Sequence, residues 1–241
     1  NLDIVKINHY DDRKPRSGGE QMTDFLPFCQ LVVDTCKNLV EKGFLSATGG
    51  NVSVRIGSEN AIAVTPSNYD YLKMVPEDVC VVDLDLQPLA GTRKPSVETP
   101  MHAAIYRVRP DVNAIIHTHQ VYPSTLALIG EPIPALFDEQ VRFLGRSVDI
   151  IPYAPSGTGA LMKTVAKHVQ NHNNAFIMAN HGALLFGDNM ERAVHNVSVL
   201  EKCALAYLLT LCTEKKASRI PLVVREVAFS KLRKDQKKYE S

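Results

Sequence analysis

His117 and His119 flank Thr118 at the end of the apolar run Asn113-Ala114-Ile115-Ile116. That run predicts a buried β-strand. Side chains two apart on a strand share a face, so both imidazoles point one way and Thr118 the other. Two neutral imidazoles side by side suit Zn²⁺ or a similar divalent ion, and a catalytic zinc commonly takes three protein ligands and leaves one position open. His181 is the third candidate, in Met178-Ala179-Asn180-His181-Gly182-Ala183, where one short strand turns into the next. Glu98, in Lys94-Pro95-Ser96-Val97-Glu98-Thr99-Pro100, is the candidate base. A His-x-His pair also occurs as simple packing or on surfaces, and spacing along the chain does not say whether His181 comes near the pair.

The elements around these residues follow from pattern. The Glu98 segment leads into a helix predicted to reach Val108, before Pro110 stops it, and Pro100 suits its first turn. A helix N-terminus presents free N–H groups and partial positive charge, so Ser96 and Glu98 stand where an anionic ligand and a carboxylate base both fit. The plainer alternative has Glu98 only complementing the helix dipole. His102, one turn along, reads as a supporting residue rather than a ligand. Val52, Val54 and Ile56 alternate as in a strand, and Thr48, Gly49, Gly50 and Asn51 precede it. Glycines let backbone N–H groups approach an anion, and Thr48 and Asn51 add side-chain donors. The spacing is neither a P-loop nor a dinucleotide fingerprint, and the same residues also make a plain loop. Thr65-Pro66-Ser67-Asn68 is a second polar loop able to reach the same anion.

The first helix is expected to be capped by Thr23 or Asp24, with Pro27 near its first turn, and to end at Gly43. Its Cys29, Val32, Val33, Cys36, Leu39 and Val40 recur at helical spacing. Strands are predicted at 61–64 and 79–83, with a hairpin extension over 84–91. Further along come a helix near Pro123, an extended stretch 133–137 followed by the polar Asp138-Glu139-Gln140, and a strand 148–153. Ser156-Gly157-Thr158-Gly159 turns into a helix reaching His172, and strands at 175–180 and 183–186 flank His181. A long helix at 190–211 carries Ala193, Val197, Leu200, Ala204 and Leu208 on one face. Neighbouring strands without intervening helices imply an antiparallel rather than a doubly wound sheet. His168, His172 and His195 lack a strand partner and read as surface residues. Residues 1–21 read as a polar arm, 22–218 as one domain and 219–241 as a basic tail whose charged run is a solvated helix face.

The chain has 241 residues, 45% apolar and 22% charged, with a formal net charge of +1. These values describe an ordinary globule with no global pull toward nucleic acid or anionic membrane. No apolar run is long enough to span a bilayer and no secretory leader is read. The 5 cysteines are odd in number and scattered, which argues against a disulfide framework and for a reducing cytoplasm.

Taken in order, Thr48-Gly49-Gly50-Asn51-Val52-Ser53-Val54-Arg55, Thr65-Pro66-Ser67, Lys94-Pro95-Ser96-Val97-Glu98, His117-Thr118-His119 and Asn180-His181-Gly182 resemble the class II aldolase/adducin family over about residues 25–212. The likeness is to its L-fuculose-phosphate aldolase and L-ribulose-phosphate epimerase branch. The resemblance implies a three-layer α/β/α fold with a mainly antiparallel sheet, and a cyclic homotetramer with active sites between subunits. It implies Zn²⁺, or Mn²⁺ or Co²⁺, held by His117, His119 and His181, with Glu98 as catalytic carboxylate. Thr48, Asn51, Ser67, Asn68 and Ser96 fall on positions that bind the substrate phosphate. The implied reaction is reversible cleavage of a phosphorylated ketose, such as L-fuculose 1-phosphate, to dihydroxyacetone phosphate and an aldehyde through a metal-stabilised enediolate. A 4-epimerase of a pentulose phosphate, a decarboxylase of an oxo-acid phosphate and a dehydratase use the same kind of site. An adducin-like interaction module lacks the metal-binding histidines retained here. The chain departs from the pattern in having Val97 where members often have a second serine. It also places Asp138, beside Glu139, where the aldolases offer a proton-donating tyrosine from a neighbouring subunit. Tyr153 and Tyr239 are alternative donors, and Tyr239 matches a C-terminal tyrosine of the family.

Overall fold

The computed structural model describes residues 19–46, 49–57 and 60–239. Helix α1 (Gly19–Glu41) starts earlier than the expected cap at Thr23 or Asp24, so Pro27 lies inside it. Pro27 forfeits one backbone bond there. The apolar stripe Phe25, Cys29, Val32, Val33, Cys36 and Leu39 is buried along the helix and holds it against the sheet. Gly43, at φ +74°, closes the helix in the left-handed conformation, as its position foretold.

Strands β1 (Asn51–Ile56), β2 (Ala61–Val64), β3 (Cys80–Asp83) and β4 (Pro88–Ala90) follow. Then come helix α2 (Thr99–Val108), strand β5 (Ala114–Thr118) and helices α3 (Val121–Leu128) and α4 (Asp138–Phe143). Strand β6 (Asp149–Ile151), helix α5 (Gly159–His168), strands β7 (Ala175–Met178) and β8 (Gly182–Gly187), and helices α6 (Met190–Leu211) and α7 (Leu222–Gln236) complete the chain. The strands form one sheet of 8 in the order β4-β3-β2-β1-β5-β8-β7-β6. Every neighbouring pair is antiparallel except β6 with β7, which is parallel. The helix α5 between β6 and β7 is long enough for the parallel crossover.

Parity along β5 decides where the chemistry goes. Ala114 and Ile116 join the apolar cluster that contains the side chains of α1 and α6, together with Leu126 of α3. Ile115 joins the other cluster, with Met101, Ile105 and Tyr106 of α2 and Leu161 and Val165 of α5. His117 has the parity of Ile115, so it faces the α2 side, where Glu98 starts that helix. Thr118 faces α6, where its hydroxyl donates to Gln120 Oε1, whose Nε2 in turn donates to Glu201 Oε2.

The basic C-terminal stretch is a helix face only in part. Phe229 and Leu232 of α7 are buried with Ala135 and Val141 in a third cluster, and α7 packs on α4. Three of the expected surface features differ in detail: His168, His172 and His195 are partly buried rather than exposed, and the His195 ring lies edge-on to Phe143. Arg109 and Asp111 form an ion pair that is fully enclosed, with Arg109 also donating to the Val169 and Asn173 carbonyls. All 5 cysteines are free thiols. Among the described residues no helix is long and apolar enough to cross a membrane.

Candidate active site

β5 is a central strand, paired on one side through Asn51↔His117 and on the other through His117↔Leu184 and Thr118↔Ala183. His117 and His119 sit at its C-terminal end. The tight turn between β7 and β8, with Asn180 at φ +54°, delivers His181 beside them. The ligand nitrogens of the three rings lie within 4.8 Å of one another. Nε2 of His117 is 3.1 Å from Nε2 of His119. Gly182 makes this approach possible, because a Cβ there would stand 2.3 Å from the Thr118 carbonyl oxygen and 2.9 Å from both His117 Cε1 and His119 Cδ2.

Glu98 occupies the N-cap position of α2 and is buried. Its Oε1 is 3.0 Å from His181 Nε2 and its Oε2 is 3.3 Å from His117 Nε2. Asn51 Nδ2 donates to Oε2 at 2.8 Å, and Ser156 Oγ donates to Oε1 at 2.6 Å. Burial alone would raise the carboxyl's pKa. The hydrogen bonds from His181, Ser156 and Asn51 favour the ionised form and hold it below the ordinary carboxylate range. Glu98 is therefore an ionised, acceptor-only group at neutral pH.

The donor set fits a cation. His117 Nδ1 lies 2.9 Å from the Ala183 carbonyl oxygen, which can only accept, so the proton of the neutral ring is on Nδ1. Burial lowers its pKa to about 3, which keeps the ring neutral. Its Nε2 lone pair then faces both a second imidazole and a carboxylate oxygen. Electron pairs opposed in this way in a buried site call for a positive centre between them. The His117–Glu98 contact is for the same reason not an ion pair of a charged ring. A backbone carbonyl orienting a ligating imidazole is the usual support of such a centre.

A cavity of about 240 Å³ opens from this group. Gly49, Gly50, Asn51, Ser67, Asn68, Ser96, Val97, Ser156, His119 and His181 line it with Glu98. The Thr65–Asn68 loop is stitched to the segment before Glu98: Ser67 N donates to the Lys94 carbonyl and Ser96 N to that of Thr65. Tyr71, buried, donates its hydroxyl to the Gly50 carbonyl and steadies the glycine turn. Gly50 is at φ +81° and a Cβ there would stand 2.5 Å from the His117 carbonyl oxygen, so only glycine fits. Ser96 Oγ accepts the Glu98 N–H at 3.3 Å and keeps its own proton for a ligand.

Of the residues singled out in the sequence, the fold brings together His117, His119, His181, Glu98, Asn51, Ser67, Asn68 and Ser96. Thr48 and the Tyr239 side chain lie outside the described residues. Asp138 is exposed at the start of α4, and neither it nor Tyr153 lines the cavity of its own chain. His102 is buried with Nδ1 2.7 Å from Ser53 Oγ, a supporting residue as expected. Ser156 was missed. Its Pro-Ser-Gly-Thr context signals a turn and nothing about Glu98, 58 positions away.

An α/β sheet carrying three convergent histidines and a buried carboxylate at the edge of a glycine-lined cavity defines a candidate metal-dependent enzyme scaffold. Residues 30–208 match the family model for the class II aldolase and adducin N-terminal domain, and the chain belongs to that family. It is 34% identical over 174 residues to a 5-deoxy-D-ribulose 1-phosphate aldolase of Bacillus thuringiensis serovar kurstaki, covering 72% of this chain and 81% of that protein. It is 32% identical over 180 residues to an L-fuculose phosphate aldolase of Escherichia coli K12, covering 75% and 82% respectively. A solved L-fuculose 1-phosphate aldolase superposes with a TM-score of 0.81 at 32% identity, over 86% of this chain and 96% of that one.

Proposed function

We propose that the protein is a divalent-metal-dependent aldolase that reversibly cleaves a phosphorylated 2-ketose to dihydroxyacetone phosphate and an aldehyde. The observation that carries this reading is the meeting of three imidazole rings with the Glu98 carboxylate at the foot of a polar, glycine-lined cavity. His117, His119 and His181 would hold the ion, with Zn²⁺ favoured by three nitrogen donors and Mn²⁺ or Co²⁺ as alternatives. Such an ion supplies positive charge for the oxygen that becomes anionic as the carbon–carbon bond breaks.

The chain's own residues do the rest. Thr48, Asn51, Ser67, Asn68 and Ser96, with the N–H groups of the glycine turn, bind the phosphate end. Val97, exposed at the cavity wall, gives no hydrogen bond, so the anion rests on these others. Glu98 exchanges a proton with C3 of the triose fragment. Proton transfer to the aldehyde oxygen falls to Asp138 or Tyr239 of a neighbouring copy. Asp138 is exposed and outside its own chain's cavity, so this role requires a neighbouring copy, as in a homotetramer with sites between subunits. The two apolar clusters support a three-layer α/β/α arrangement. Residues 22–218 would form the catalytic domain, 1–21 an arm and 219–241 a basic extension, in a cytoplasmic protein.

The test is incubation of the metal-loaded protein with L-fuculose 1-phosphate, 5-deoxy-D-ribulose 1-phosphate and related ketose phosphates, reading triose phosphate through a coupled dehydrogenase. Glu98→Gln should lower kcat by about 10²–10⁴-fold. Absence of triose phosphate from every ketose 1-phosphate overturns the aldolase reading. Appearance of an epimer, CO₂ or a dehydrated product would assign the same site to another reaction.

A further inference from the structure

We infer that Ser156 is a positioning residue for Glu98, and that the turn carrying it belongs to the reaction machinery. This rests on the aldolase reading only for its kinetic arm. Each oxygen of the Glu98 carboxylate has one neutral donor: Asn51 Nδ2 on Oε2 at 2.8 Å and Ser156 Oγ on Oε1 at 2.6 Å. The donors come from different parts of the fold, β1 and the turn leading into α5. Together they set the rotation of the carboxylate between His117 and His181. With Ser156 removed, Oε1 keeps only His181, which is also a candidate metal ligand. The carboxylate is then free to turn out of the plane in which it meets substrate.

The turn is built to hold Ser156 in place. Gly157 adopts φ +70°, which favours glycine, and a Cβ there would lie 3.7 Å from Val97 Cβ, beside Glu98. Thr158 caps α5, its Oγ1 accepting from Leu161 N at 3.3 Å and donating to the Pro155 carbonyl at 2.6 Å. The start of α5 thus anchors the Ser156 hydroxyl over the start of α2.

Two experiments test the assignment. In the first, Ser156→Ala lowers kcat for ketose phosphate cleavage about tenfold, the worth of one hydrogen bond to a charged group. KM and zinc content stay within about twofold of wild type, and Ser156→Thr, which keeps the hydroxyl, recovers most of the rate. A loss confined to KM, or no recovery in Ser156→Thr, overturns it. The second uses the metal-free protein and needs no activity. Ser156→Ala lowers the melting temperature by about 3–6 °C, and the loss vanishes when Glu98→Ala has already removed the acceptor. Equal losses in both backgrounds overturn the contact itself. If the wild type cleaves no ketose phosphate while this coupling holds, the functional reading has failed and the positioning of Glu98 by Ser156 stands.

Discussion

Substitution of Gly182 probes whether the approach of two backbones sets the histidine geometry. An alanine there would place its Cβ 2.3 Å from the Thr118 carbonyl oxygen. Carbon and oxygen rest at about 3.3 Å, so the strands must part by about 1 Å. The obstructing atom is backbone at the last pair of the β5–β8 ladder, Thr118 with Ala183, and it cannot swing aside as a side chain would. The same Cβ would press on His117 Cε1 and His119 Cδ2, each at 2.9 Å. Strain therefore falls on both rings at once. A displacement of that size in a reacting constellation costs about 10²-fold in rate, and disturbing the support of a metal ligand costs about 10–100-fold in affinity. Overpacking adds about 1–3 kcal/mol of destabilisation, or a melting temperature lower by roughly 2–4 °C for each kcal/mol. Zinc affinity is measured by competition with a chromophoric chelator, and stability by calorimetry. Gly57→Ala is the control, since a Cβ at Gly57 meets nothing within 4 Å. Wild-type zinc affinity and an unchanged melting temperature in Gly182→Ala would refute the claim that this contact sets the ring geometry.

Chelation of the as-purified protein should lower its melting temperature, and zinc at about 1,000 times its dissociation constant should restore about 4 kcal/mol. His119→Ala should abolish that response while leaving the far-ultraviolet circular dichroism unchanged, and an undiminished zinc shift in this variant would remove His119 from the ligand set. The third prediction concerns His102, whose pKa burial lowers from the ordinary imidazole value near 6.5 to about 4, the nearby Glu98 partly opposing the shift. The folded state resists a proton that the unfolded chain accepts, so stability is lost as pH falls from about 6.5 toward 4. Linkage puts the loss between pH 7 and pH 5 at about 2 kcal/mol. Urea unfolding at both pH values, compared with His102→Asn, should show a shallower pH dependence in the variant. An identical dependence in the two proteins would show that His102 does not titrate in this way.

Most of the elements were legible in the sequence because they rest on local rules. Alternation over Val52–Ile56, the apolar stripe of α6 and the glycine after α1 each act within a few residues, and the structure places them as expected. The start of α1 was misread because Thr23, Asp24 and Pro27 carry a helix-start signal, a local preference that the helix running from Gly19 overrides. The C-terminal helix was misread for a related reason. Its basic composition hides a narrow apolar seam, Phe229 and Leu232, whose partners Ala135 and Val141 are far away in the chain.

The chemistry divides along the same line. Residue types and the two-residue strand repeat were enough to put His117 and His119 on one face and to name Glu98 and His181 as their companions. Alternation has no range beyond its own strand, however, and says nothing about which element lies across that face. Only the sheet order, with β5 between β1 and β8, carries His181 to the pair and Asn51 to Glu98. The Ser156 hydroxyl reaches the carboxylate through the packing of α5 on α2. Contacts of that kind depend on long-range burial, which no local pattern encodes.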